Sequence, residues 1–180
     1  MVRAEWRLRI PSETPVRLSA VSFENLLPTD TMAKMTALSI CILEDDPERT
    51  NAFRDSLAPF AFDLVILDSA PDMIEWLCTR LSRTALICLD HDLGPSRLRD
   101  ETRFEPGSGR DVADWLAARP AHCPVLIHSA NGIAVPGMLL ALESAGWSAE
   151  RVVPSGDLDW IRESWLPAVV RLLENAGPHN

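Results

Sequence analysis

Three residues at the end of one apolar run carry the chemistry this sequence offers. Ala85-Leu86-Ile87-Cys88-Leu89 leads into Asp90-His91-Asp92 and then Leu93-Gly94-Pro95. A short, continuous apolar run bounded by Gly and Pro reads as a strand buried on both faces. If its extended geometry continues through the acidic end, Asp90 and Asp92 project to one side and His91 to the other. Two like charges held that close need a cation or a shared proton. Other strand ends repeat the theme. Leu38–Leu43 runs into Glu44-Asp45-Asp46, Pro124–Ile127 into His128-Ser129-Ala130-Asn131, and Arg151–Val153 into Pro154-Ser155.

Carboxylates from the first and third strand ends would form an oxygen-rich pocket suited to Mg²⁺ or Mn²⁺. These hard cations keep several waters and leave positions open for phosphate oxygens. The Ser129 hydroxyl and donors from His128 would steady the same phosphate. Arginines on the polar stretch from Gly94 to Gly109 and just beyond it, Arg97 and Arg110 among them, would neutralise its charge.

Plainer readings stand beside these. Asp46 before Pro47 is a helix N-cap with Pro at the first helical position. His91 should point away from the carboxylates and act structurally. His128 divides between a hydrogen-bonded core histidine and a phosphate donor, and Ser129 could simply satisfy a nearby backbone group. Arg97, Arg99, Arg103 and Arg110 interleave with Asp100, Glu101, Glu105 and Asp111, the pattern of a salt-bridged, solvated loop, with a substrate lid as the alternative. Trp115, Trp160 and Trp165 fall on apolar helix faces, as core or interface residues rather than base-stacking platforms.

The elements that must position these groups alternate. Strands are expected at Leu38–Leu43, Phe62–Leu67, Ala85–Leu89, Pro124–Ile127 and Arg151–Val153. Between them, Phe53, Leu57 and Phe60, then Met73, Ile74, Leu77, Cys78 and Leu81, then Val112, Trp115 and Leu116 recur at helical spacing. Met138 to Ala145 is a further helix closing at Gly146. Asp157 caps a last one carrying Ile161, Trp165, Val169 and Leu172, which Pro167 kinks or restarts. Such alternation makes an α/β fold, a parallel five-stranded sheet with helices on both faces and a flavodoxin-like order 2-1-3-4-5. Ligands of such sheets sit at the carboxyl ends of the strands, where all the acidic runs lie.

The chain of 180 residues suits one domain with a real core. Residues 1–35 break with the rest through Pro11, Pro15 and Pro28, and are expected to form a poorly ordered extension before a domain spanning 36–180. A net charge of −9 argues against broad binding to duplex nucleic acid, and no apolar run has the length of a membrane span. Cys41, Cys78, Cys88 and Cys123 show no CxxC pairing and read as small buried hydrophobes of a cytoplasmic protein.

Over roughly residues 37–175 the sequence resembles the receiver domain of response regulators. Leu43-Glu44-Asp45-Asp46-Pro47 is similar to the receiver acidic pair, Leu89-Asp90 to the phosphoacceptor strand end, and Ser129-Ala130 to the hydroxyl residue plus alanine of the fourth strand. One element departs. Receivers carry a lysine at the end of the fifth strand, whereas Val153 precedes Pro154 here and the only lysine is Lys34. More closely, Leu89-Asp90-His91-Asp92-Leu93-Gly94 together with Ile127-His128-Ser129-Ala130-Asn131 resembles a receiver-like family described as cyclic-phosphate-processing receiver domains. That resemblance implies a metal-dependent role on cyclic phosphate ends of RNA or nucleotides. Glu44, Asp45 and Asp90 would hold the cation, and Asn131 would join Ser129 at the phosphate. Asp90 would attack phosphorus or orient a metal-bound water, with Asp92 or His128 protonating the leaving oxygen. The alternative is a divergent receiver that binds a protein partner without catalysis.

Overall fold

In the computed structural model of the protein, residues 38–95, 97–99 and 101–176 are described, 97–99 by their backbone alone. The expected N-terminal extension lies outside the described residues. Five parallel strands form the central sheet: β1 (Ser39–Leu43), β2 (Asp63–Leu67), β3 (Thr84–Leu89), β6 (Val125–His128) and β7 (Ala149–Val152). They run β2-β1-β3-β6-β7. Counted without β4 and β5, this is the expected flavodoxin-like order. The two extra strands, β4 (Arg97–Arg99) and β5 (Thr102–Phe104), pair antiparallel with each other as a separate hairpin. They occupy the stretch read from sequence as a polar loop, and Glu101 turns the hairpin with a φ of 62°. Nothing in Asp100-Glu101 announces such a turn, because the residues that normally supply positive φ are Gly and Asn.

Alternation along the strands divides the core in two. Cys41, Leu43, Ile87, Leu89 and Ile127 face α2 (Ala70–Arg80), α3 (Gly109–Ala117) and α4 (Ala134–Ser144). Ile40, Ile42, Leu86, Cys88 and Leu126 face α1 (Pro47–Leu57) and α5 (Leu166–Ala176). Each large apolar side chain sealed this way contributes roughly 1.5–3 kcal/mol. Trp160 and Trp165 are buried in the second core with Phe53, as expected. Trp115 is half-buried under the Arg119 guanidinium, which sits 3.5 Å from the ring centre.

Several local signals act as the sequence suggested. Asp46 caps α1, its Oδ1 accepting from the backbone N–H of Glu48 at 2.8 Å and Arg49 at 2.9 Å. Near Pro167 the chain does restart: Ile161–Trp165 is wound as a π turn, with Leu166 N donating to Ile161 O, before α5 begins. Proline lacks the N–H that a regular helix would need there, so the backbone widens one turn ahead of it. Cys78 differs from expectation, being exposed on α2. The other three cysteines are buried, and burial pushes their thiols up, that of Cys123 to about 12. Among the described residues no helix is long and apolar enough to cross a membrane.

Candidate functional site

Glu44 follows β1 and Asp90 follows β3, and His128 closes β6. By alternation all three fall on the face of the sheet covered by α1 and α5, in line with Ile42, Cys88 and Leu126. Glu44, Asp45 and Asp90 each offer a carboxylate oxygen within 4.8 Å of the others. Glu44 is 1% and Asp90 3% exposed. Asp45 is tied across the site, its Oδ2 accepting from Gly94 N at 2.6 Å.

The cation beside these acids is one that sequence reading missed. Arg49, in the first turn of α1, places Nη2 3.1 Å from Glu44 Oε1 and 3.3 Å from Asp90 Oδ2. The signal was present: an Asp-Pro cap after an acidic strand end fixes the next three residues over that end. Glu44 Oε1 also accepts from Asp46 N, and Asp90 Oδ1 from His91 N. Glu44 Oε2 is buried with no hydrogen-bond partner. His128 Nε2 lies 3.5 Å from it, and neither ring nitrogen of His128 has a hydrogen-bond partner. The imidazole lies among Phe53, Trp160 and Trp165 and is fully buried. His128 thus sits beside Glu44, sealed in the core. Burial is the main reason the Asp90 carboxyl is pushed above its ordinary range; Glu44 adds to the rise, while His128, Arg49 and the His91 N–H oppose it.

Asp92 is elsewhere. The strand ends at Leu89 and the chain turns at His91, so the extended geometry that would have set Asp92 beside Asp90 does not continue. Nor does His91 point away from the acids. Its Nδ1 is 2.8 Å from Asp92 Oδ1, and Asn131 Nδ2 donates to both Asp92 oxygens at 3.1 and 3.2 Å. A carboxylate only accepts, so it assigns the hydrogen to Nδ1 and leaves Nε2 as the ring's acceptor. The 3.4 Å approach of Asn131 Nδ2 to the same Nδ1 is then a contact rather than a bond. The His91 hydrogen bond, helped by Asn131, holds the Asp92 carboxyl below the usual carboxylate range.

Ser129 is buried at the end of β6, its Oγ accepting from Asn131 N at 3.2 Å, which leaves its own hydrogen to donate. Asn131 also uses Oδ1 to accept from Ile133 N and Ala134 N, opening α4. Arg110, expected at the phosphate, pairs with Asp114 at 2.7 Å across one turn of α3 and packs over Gly137. The side chain of Arg97 lies outside the described residues. A groove of about 630 Å³ opens beside Arg49, walled by Asp46, Glu48 and the segment Pro154–Trp160.

The family described as Cyclic-phosphate processing Receiver domain matches residues 40–144. The chain belongs to that family. Among solved structures this family member is similar to the signal receiver domain of an HD domain-containing protein from Pseudomonas fluorescens Pf-5, with a TM-score of 0.57 and 11% identity over 78% of this chain and 97% of that one. A CheY-like receiver domain protein from Methanospirillum hungatei JF-1 gives 0.56 and 14% over 78% and 96%. The Mn²⁺-bound form of response regulator Rcp1 gives 0.52 and 17% over 72% and 94%. At these identities the likeness establishes the receiver fold. No curated protein sequence matches the chain. The matched span contains every acidic site residue, together with Arg49, His128, Ser129 and Asn131.

Proposed function

We propose that this receiver-family domain hydrolyses a cyclic phosphate or related phosphoester, on a nucleotide or an RNA end, with Mg²⁺ or Mn²⁺ held by Glu44, Asp45 and Asp90. The observation that carries the reading is the buried, unpartnered Glu44 Oε2 among three convergent carboxylates, one of them with a raised affinity for protons. Leaving such an oxygen without a partner is costly, and a hard cation with oxygen ligands fits the vacancy in its bonding. Bound there, the ion would supply Lewis-acid polarisation of the phosphoryl oxygens.

The chain's own groups support the rest. Ser129, just after β6, offers a hydroxyl hydrogen. Asp92, whose carboxyl His91 and Asn131 hold below its ordinary range, orients the imidazole rather than acting as the acid itself. Proton transfer is therefore assigned to the His91 ring, which Asp92 orients: it would take a proton from the attacking water and return it to the leaving oxygen, while His128 supports Glu44. The acidic groove, with Asp46, Glu48, Asp157 and Asp159 in its wall, suits a small phosphoester better than a long polyanion.

The test is hydrolysis of a nucleoside 2′,3′-cyclic monophosphate by the full chain, with and without Mg²⁺ or Mn²⁺. Metal-dependent turnover that disappears in Asp90→Asn supports the reading; turnover unchanged by chelation or by that substitution defeats it. The second reading, a signalling module that binds a protein partner without catalysis, is favoured by the receiver fold itself. Against its phosphorelay form stands Val153-Pro154, where receivers carry lysine. Metal binding with no turnover on any cyclic or linear phosphoester would favour the module.

A further inference from the structure

We propose that Arg49 is a displaceable counter-ion. In the metal-free protein its guanidinium holds Glu44 and Asp90; when a divalent cation takes those oxygens it swings into the adjacent groove and receives the anionic phosphoryl group. The inference rests on the metal site of the preceding section but not on hydrolysis.

The seating of Arg49 is makeshift. A strong guanidinium–carboxylate pair is bidentate, with two nitrogens on two oxygens of one partner. Here a single nitrogen, Nη2, spans two carboxylates at 3.1 and 3.3 Å. It also leaves the site incomplete, since Glu44 Oε2 stays buried and unpartnered beside it. The oxygens Arg49 occupies belong to two of the three residues that would ligate an ion. An ion coordinated by Glu44 and Asp90 would stand close to the guanidinium on the same carboxylates, and the repulsion between the two cations drives Arg49 outward.

Where it goes is set by its surroundings. The Asp46 cap fixes the Arg49 backbone N–H, so the side chain moves while α1 stays. The side chain is 25% exposed and already forms part of the groove wall. Among the residues lining that groove, Arg49 is the sole cation facing four carboxylates. A phosphoryl oxygen entering there meets repulsion from every other charged side chain of the lining. Loading is therefore ordered: the metal binds first and frees the arm that accepts the phosphate.

Titration calorimetry on the full chain tests this with Mg²⁺ alone, then with inorganic phosphate at saturating Mg²⁺. Arg49→Gln removes the competing charge, so Mg²⁺ should bind about tenfold tighter, as when a competent state no longer has to be opened. Phosphate should bind the Mg²⁺-loaded variant about tenfold more weakly than wild type. Metal affinity that is unchanged or lower in Arg49→Gln overturns the proposal, as does unchanged phosphate affinity. So does failure of both proteins to bind Mg²⁺, whereas binding by the variant alone supports it.

Should Arg49→Gln not fold, the wild-type Arg49 Nε–H resonance decides. It should move when Mg²⁺ is added and again with phosphate; a signal indifferent to Mg²⁺ overturns the proposal. Neither readout needs turnover. A protein that behaves this way yet cleaves no phosphoester defeats the hydrolase reading and leaves the role of Arg49 standing.

Discussion

Asp90 and Asp92 are two residues apart, and their surroundings are opposite. Asp90 is buried among carboxylates, shares one guanidinium nitrogen with Glu44, and has its carboxyl pushed up chiefly by burial. Asp92 is exposed, holds an imidazole and a side-chain amide, and has its carboxyl held down by them. The first cluster contains a buried oxygen with no hydrogen-bond partner, whereas both Asp92 oxygens are hydrogen-bonded. A site built to take up a ligand is left unsatisfied without it, whereas a group that orients a neighbour needs nothing further.

The sharpest way to break this contrast is to neutralise each acid in turn. Asp90→Asn should remove the rise in melting temperature that Mg²⁺ produces and lower metal-dependent turnover by about 10²–10³-fold or more. Asp92→Asn should keep the Mg²⁺-induced rise while impairing turnover. Equal loss of the thermal shift in both variants would mean the two clusters are one site.

A smaller effect comes from the backbone that separates them. A Cβ on Gly109 would lie 2.1 Å from the Asp90 carbonyl oxygen. Gly109→Ala should therefore cost about 1–3 kcal/mol in a urea titration, with the acidic end of β3 forced to move. Asn131→Ala removes the acceptor at the start of α4 and one of the donors to Asp92. It should cost about 1 kcal/mol in thermal melts and let the Asp92 carboxyl rise toward 3.8 in an NMR titration.

The smallest effect is one of pH. The folded protein holds the Asp90 proton more tightly than the unfolded chain does. Ionisation therefore destabilises the fold: the loss begins as pH rises past 3.8 and is complete above the raised folded value. Without metal, Asp90→Asn should melt a few degrees above wild type at neutral pH, and the gap should shrink toward acid. An unchanging gap would show that Asp90 is not strained by its burial.

What the sequence made legible follows the same division. The sheet order and the Glu44, Asp45 and Asp90 convergence came from apolar runs ending in acids, because strand ends in a parallel sheet share an edge whatever their side chains do next. Asp92 and His91 were misplaced, and the local pairing of Arg110 was not foreseen, because such positions depend on where the chain leaves the strand and on which local partner is nearest, and neither has a period to read. Arg49 was legible only through a helix cap, a signal that locates backbone rather than the far end of a long side chain. The β4–β5 hairpin lacked turn residues and so gave no warning.

That hairpin is held at both ends by the acidic site. Gly94 N donates to Asp45 Oδ2 on its near side, and Gly109 N donates to the His91 carbonyl on its far side. The intervening stretch is stitched down at these two points beside the carboxylates and again where Pro106 O accepts from Ala70 N at 2.8 Å. A change of length confined to the hairpin, between those anchors, would leave the spacing of the acids to the same bonds, like an interchangeable fitting on a fixed socket.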